Sequence, residues 1–252
     1  MSEHGNRWLV DLGNSRAKCA PLDGDGRRGE VLAIEHEADP GHARLLQHLG
    51  AAEENGAVWL ASVAAPARSD SLEQALRDAG WVVQRIVTQA SCHRLRIAYA
   101  EPATLGVDRF LALLAASSRA DGPWLVVSAG SALTVDLLAS DGIHHGGLIA
   151  PMPEDMRAAL ARRFVQLDLP EGQVSDFASD TAGAIASGAH AAILGLVEHS
   201  LRRGYRRLSL EPSLLLTGGG APGLRGIRAA KSFELPWLVI DGLAAYVRNG
   251  GH

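Results

Sequence analysis

The chain has 252 residues, 47% of them hydrophobic and 21% charged, and a formal net charge of −4. That length accommodates one large hydrophobic core or two moderate ones, and the slightly acidic balance excludes the basic stripe expected of a nucleic-acid-binding protein. Cys19 and Cys92 are the only cysteines and form no Cys-x-x-Cys pair, so neither a disulfide framework nor a cysteine zinc site is expected.

The opening stretch MSEHGNRWLVD lacks the apolar segment of a secretory signal. No run approaches the roughly 18 apolar residues that cross a bilayer, so a cytoplasmic protein without membrane contact is expected. Apolar runs bounded by Gly, Pro, Asp or Ser predict strands at 7–12, 17–22 and 30–36, a helix over 41–49, a strand at 57–63, a helix over 69–79 and a strand at 81–87. A helix over 107–120 leads to strands at 124–129, 133–139 and 146–150, then to helices over 153–163 and 181–203. Strands at 213–217 and 237–240 and a helix over 242–248 complete the order, which is that of an α/β protein. The stretch DGDGRRGE (23–30) is a turn between strands. In the long 181–203 segment, Ala184, Ile185, Gly188, Ala192, Leu196 and Val197 recur at helical spacing, and the small residues permit close packing. The run RRGYRR (202–207) closes that helix with positive charge, which its dipole favours.

Internal comparison is more informative. WLVVSAGSALTVDLL (124–138) repeats the pattern of WLVDLGNSRAKCAPL (8–22), about half the chain earlier. Each is an apolar strand, an acidic or hydroxyl residue, a glycine with small polar neighbours, and a second apolar strand, as in a duplicated domain with the break near 117–123. A third glycine turn, Thr217-Gly218-Gly219-Gly220, ends the strand at 213–217. Glycine turns expose backbone N–H groups and allow close approach, so three of them suit a phosphate-bearing ligand. Each turn alone is equally a hairpin corner or a strand-to-helix loop. A carboxylate beside them, such as Asp11, suits Mg²⁺, which keeps waters alongside substrate phosphates. No Gly-x-x-x-x-Gly-Lys-Ser/Thr loop is present.

In order along nearly its whole length, the chain resembles the type III pantothenate kinases, members of the actin-like, sugar-kinase and Hsp70 ATPase superfamily. DLGNSRAK (11–18) resembles the first phosphate motif, LGVDR (105–109) the Gly-x-Asp-Arg signature and SAGSALTVD (128–136) the second phosphate motif. GGLIAP (146–151), DTAGAIASG (180–188) and LLLTGGGA (214–221) match later blocks. The resemblance implies two actin-like (ribonuclease H-like) α/β domains, 1–117 and 118–252, with a nucleotide cleft between them. It also implies transfer of a phosphoryl group from ATP to the hydroxyl of pantothenate, the first step toward coenzyme A, in a homodimer to which helix 181–203 contributes. An actin-like kinase or phosphatase for another small substrate, or a catalytically weak regulatory relative, are the alternatives.

By matched position, the resemblance makes Asp108 the general base, a role that suits phosphoryl transfer to an alcohol, although an acidic residue in a first helical turn also suits the dipole. Arg109 takes the pantothenate carboxylate, and Tyr99, Gly106, Val107 and Thr181 line its pocket; Asp180 competes with Thr181 for the helix cap. Asp11, Leu12, Gly13, Asn14, Ser15, Arg16, Ala17 and Lys18 form the first phosphate site, with Asp11 orienting Mg²⁺ and its waters. Gly130 and Ser131 belong to the second, which Asp136 supports. Two residues depart from the family pattern. Ser131 stands where Thr is usual and keeps the hydroxyl, whereas Ser128 stands where Asp is usual and removes a charge at a position associated with a monovalent cation, potassium or ammonium. His93, His144, His145, His190 and His199 accompany no metal-binding spacing and are expected to be solvated or packing residues, with His144-His145 at a turn.

Overall fold

The structure, a computed structural model, describes residues 6–39, 41–120, 122–163 and 172–250. The first five residues of the opening stretch, and residue 121 in the predicted break, lie outside them. The chain forms two compact units. One takes the chain up to Ala120, the segment Ser140–Gly146 and the chain from Trp237 onward, and the other takes the remaining segments.

In the first unit, β1 (Arg7–Leu12) and β2 (Arg16–Pro21) pair antiparallel across a tight turn, and β3 (Leu32–Glu35) adds antiparallel to β2. Helix α1 (Ala43–Leu49) precedes β4 (Ala57–Ser62), which is parallel to β1; α2 (Pro66–Asp78) precedes β5 (Val82–Arg85), parallel to β4. The sheet order is β3-β2-β1-β4-β5. Trp8, Val10, Leu12, Leu45, Val58, Leu60, Leu72 and Leu76 form a core on one of its faces. Cys19 is buried among them, which pushes its thiol up to about 12 and keeps it uncharged. A short hairpin of β6 (Ser91–Cys92) and β7 (Leu95–Arg96) leads to α3 (Val107–Ser117), buried along nearly its whole surface.

In the second unit, β8 (Trp124–Ala129), β9 (Ala132–Leu138) and β10 (His144–Pro151, in this unit from Gly147 onward) are followed by α4 (Pro153–Arg163), α5 (Thr181–Leu208), β11 (Ser213–Thr217) and β12 (Ser232–Glu234). The order β10-β9-β8-β11-β12 repeats that of the first sheet, with β8 antiparallel to β9 and parallel to β11. The strand–turn–strand repeat of the sequence is thus the central and adjacent strand of each sheet. Ile193, Val197 and Leu201 of α5 pack on Leu125, Val127, Val135 and Leu216.

Two expectations are corrected. Residues 237–240 are not a strand: after Pro236 they open α6 (Leu238–Arg248), and the last strand is β12. A four-residue apolar run cannot distinguish a strand from a fully buried helical turn, and Leu238, Ile240, Leu243, Ala244, Ala245 and Tyr246 are all buried. Secondly, α5 is long enough to cross a bilayer and has an 18-residue window of mean hydropathy 1.2. Its Ala, Gly, Ile and Leu content raises that average; 28% of the window is buried, and Ile193, Val197 and Leu201 pack on the core of its own unit.

Helix α6 belongs to the first unit, where it packs along α3. Gly242 rests directly on the backbone of Leu111, leaving no room for a side chain. The Tyr246 ring meets Phe110 edge-on, and the Tyr246 hydroxyl accepts from Gln89 Nε2 at 2.9 Å. Arg28 pairs with Asp241 at 2.6 Å.

Candidate active site

The turn between β1 and β2 is built from the residues 11–18. The Gly13 N–H donates to the Arg16 carbonyl at 2.9 Å, which closes the turn and leaves Asn14, Ser15 and Arg16 exposed. Asp11, last but one in β1, is only 4% exposed and sits opposite Lys18 in register. Lys18 Nζ approaches Asp11 Oδ2 at 3.1 Å, so the buried carboxylate carries its counter-charge with it. Leu12 and Ala17 are buried as the flanking cross-strand pair.

The corresponding turn of the second unit is one residue shorter, closed by the Gly130 N–H donating to the Ala132 carbonyl at 3.1 Å. Gly130 and Ser131 are exposed, and a Cβ on Gly130 would meet nothing within 4 Å. Packing therefore does not require that glycine. The third glycine turn is docked against this one. The Gly220 N–H donates to the Ala129 carbonyl at 2.9 Å, and Gly218, with φ +90°, lies against the Ala129 backbone. Thr217 is buried, its hydroxyl donating to the Pro236 carbonyl at 3.4 Å. Ser128 lies in register between Thr134 of β9 and Thr217 of β11, a row of hydroxyl residues. Asp136 is buried on β9.

Helix α3 begins with the Gly-Val-Asp-Arg signature. Gly106 is its N-cap residue and offers no side chain. Asp108 curls back over the first turn, its Oδ1 accepting from the Arg109 N–H at 2.8 Å. A Cβ on Gly106 would fall 2.5 Å from that Asp108 oxygen, so the glycine is what lets the carboxylate occupy this position. Asp108 is half-buried and Arg109 only 6% exposed. The Arg109 guanidinium donates to the Tyr99 hydroxyl at 3.1 Å and lies 5.8 Å from the centre of the Tyr99 ring. Asp108, Arg109 and Tyr99 thus form one cluster in the first unit.

Thr181 opens α5 and is exposed. The cap is Asp180, whose Oδ1 accepts from the Gly183 N–H at 2.8 Å, so Thr181 is not needed for capping. Met156, Leu160, Asp180, Thr181, Ala184 and Ile185 line an open groove of about 720 Å³ between α4 and α5.

Two histidines join these groups without any signal in the sequence. His144 is 1% exposed and begins β10 rather than lying at a turn; its ring stacks on Tyr99 with centroids 6.1 Å apart. His36 reaches the first turn, its Nε2 2.8 Å from the Gly13 carbonyl. Both contacts join residues far apart in the chain, and no spacing rule anticipates them.

A family model described as type III pantothenate kinase matches residues 8–203, most of the chain and every motif above except the third glycine turn. The chain belongs to the type III pantothenate kinase family. A relative from Stenotrophomonas maltophilia strain K279a, named type III pantothenate kinase, is 47% identical over 239 residues, covering 95% of this chain and 96% of its own. Among solved structures, a Baf family transcriptional activator from Campylobacter jejuni is similar with a TM-score of 0.61 at 19% identity, over 97% of this chain and 100% of that one. The activator of 2-hydroxyisocaproyl-CoA dehydratase from Clostridium difficile, solved with bound ADPNP, is similar with a TM-score of 0.53 at 12% identity, over 97% and 95% of the two chains. These two likenesses establish the actin-like α/β fold and nothing further. Family membership makes the chain an ATP-dependent phosphotransferase for pantothenate, in coenzyme A biosynthesis.

Proposed function

We propose that Asp108 is the general base of this kinase, and that Arg109 and Tyr99 hold the substrate carboxylate beside it. The observation that carries this reading is the Arg109–Tyr99 contact at 3.1 Å next to a carboxylate held over the first turn of α3. Pantothenate is an anion with a primary hydroxyl at its far end. A nearly buried guanidinium, oriented by a phenol, binds the anionic end in fixed geometry. Asp108 then accepts the hydroxyl proton as that oxygen forms its bond to the γ-phosphorus and the bond to the ADP leaving oxygen breaks. Gly106 and Val107 contribute the rest of the pocket from the same helix start, and Thr181 is a further substrate contact by its matched position in the family.

Residues 11–18 and Gly130-Ser131 are the phosphate contacts in this reading. The exposed backbone of each turn offers N–H donors, and Lys18 adds positive charge to the first. Among the described residues no cluster of three or more His, Cys, Asp or Glu side chains could hold a metal. Mg²⁺ needs no such cluster, because one carboxylate and the substrate phosphates suffice. Asp11, buried just before the first turn and paired with Lys18, would supply that carboxylate, and the ion would neutralise charge developing on the phosphoryl group. A monovalent cation fits less well. Ser128 offers a hydroxyl between two threonines where the family pattern supplies a carboxylate, so dependence on potassium or ammonium is weaker here.

Exposed apolar residues in the second unit support a homodimer. Ile149 is 65% and Phe177 98% exposed, and α5 leaves Ile185 along the groove beside Thr181. A second copy covering this face would complete the substrate pocket. Sedimentation at micromolar concentration is expected to find a dimer, and an active monomer would count against it. A cytoplasmic protein without nucleic-acid or membrane partners completes the reading. The direct test is ADP release with ATP, Mg²⁺ and pantothenate. Release that requires pantothenate is expected; nucleotide binding without turnover would favour a regulatory relative.

A further inference from the structure

We infer that His36 is a positioning residue for the first phosphate turn: its imidazole and its backbone together fix the peptide planes that aim the turn's amide donors. This rests on the kinase reading above.

His36 is 8% exposed and begins a short 3-10 turn, His36–Ala38, directly after β3. It contacts the phosphate turn twice. Nε2 lies 2.8 Å from the Gly13 carbonyl, and the His36 backbone N–H donates to the Ser15 carbonyl at 3.1 Å. A carbonyl oxygen only accepts, so Nε2 carries the proton of this bond. The peptide unit is planar and trans, with its C=O and N–H pointing in opposite directions. Holding the Gly13 carbonyl against His36 therefore turns the Asn14 N–H away from it, toward the exposed side of the turn. The Ser15 carbonyl, held by the His36 N–H, fixes the Ser15–Arg16 plane in the same manner and with it the direction of the Arg16 N–H. Asn14, Ser15 and Arg16 are exposed, and the contacts behind the turn set the Asn14 and Arg16 amides.

The mount of the imidazole is itself braced. The Asp39 N–H donates to the His36 carbonyl at 3.2 Å. Asp39 Oδ1 and Oδ2 accept from the N–H groups of Arg44 at 3.0 Å and Leu45 at 3.1 Å, tying the 3-10 turn to the start of α1. A turn with two exposed small residues would otherwise sample several orientations. Pre-setting it lowers the ordering cost when phosphate binds. In the second unit, the Gly220 N–H contact to the Ala129 carbonyl braces the corresponding turn from its own backbone.

The test compares His36→Gln, which keeps a donor at the end of a side chain of similar reach, with His36→Phe, which fills the space without one. One neutral hydrogen bond corresponds to a change of about 3- to 10-fold. His36→Phe is expected to raise the KM for ATP by that factor while the KM for pantothenate stays within about twofold, and His36→Gln should recover most of the loss. Binding of a fluorescent ATP analogue, measured without pantothenate, should move in parallel. Equal shifts in both KM values, or lower thermal stability with unchanged nucleotide binding, would overturn the positioning role. If the Phe variant does not fold, nucleotide affinity of the Gln variant decides: wild-type affinity supports the role, and a loss as large as that of His36→Ala overturns it. Pantothenate-dependent turnover by the wild-type protein tests the kinase reading separately and is unaffected by either outcome.

Discussion

The two strand–turn–strand repeats share a place in their sheets and a purpose in sequence, yet they are stabilised differently. The β1–β2 turn uses side chains: Asp11 and Lys18 make a 3.1 Å ion pair across the strands, and His36 grips the turn from behind. The β8–β9 turn uses backbone: it is one residue shorter, carries Ser128 where the first has Asp11, and is held by the docking of Gly218 and Gly220 on Ala129. Duplication preserved the scaffold while the means of holding each turn diverged. A charge-based turn tolerates backbone change poorly only where the charges meet, whereas a backbone-docked turn is sensitive wherever a Cβ is added.

The sharpest test of the contrast is the chemistry assigned to the first unit. Asp108→Asn should fold, bind ATP normally and lose at least ~100-fold in turnover, the lower range for a general base; near-normal turnover would remove Asp108 from that role. Next, Asp11→Asn leaves Lys18 without its carboxylate and should raise the KM for Mg²⁺-ATP about 10-fold, as for loss of a charge-assisted bond. Selective loss of pantothenate affinity would mean that Asp11 serves the other substrate. In the second unit the glycines should divide. Gly218→Ala forces a side chain into a positive-φ site against backbone and should cost about 1–3 kcal/mol, lowering Tm by several degrees. Gly130→Ala should leave Tm within about a degree while weakening ATP binding, since its Cβ meets only open space. If both variants melt alike, the docked-backbone account fails.

The smallest effect is expected at Ser128. Unit charges ~4 Å apart attract by ~4 kcal/mol at an effective dielectric of 20, so a carboxylate holds a cation far better than a hydroxyl does. Initial rates in potassium, ammonium, sodium and choline chloride at matched ionic strength should differ by less than about threefold in the wild type. Ser128→Asp should make the enzyme more responsive to potassium. A saturable potassium requirement in the unmodified protein would show that other ligands replace the missing charge.

Most of the strand order was legible because both repeats combine apolar runs with glycine punctuation, and the Gly-Val-Asp-Arg stretch marked the start of α3. The misread lay at 237–240, where a buried helical turn and a buried strand have the same apolar content. His36 gives no signal, and His144 reads as a turn residue, for another reason: their partners Gly13 and Tyr99 are brought to them by β-sheet pairing and tertiary packing, which leave no periodic trace. Asp180 was legible as a cap by residue type, but only the Gly183 contact distinguished it from Thr181. The length and hydropathy of α5 could not by themselves tell a core helix from a membrane span.

The return of α6 to the first unit has a consequence for how the protein is made. The helix that carries Asp108 and Arg109 is seated against residues 238–248, with Gly242 pressed on Leu111. On the ribosome, the second unit's strands and helices are therefore all synthesised before the first unit can be finished. Until Tyr246 has emerged and met Phe110, α3 lacks one wall. A chain interrupted between Pro236 and Tyr246 would hold all of the second unit's segments and still lack the wall on which α3 is seated, so the first unit depends on residues made after the whole of the second.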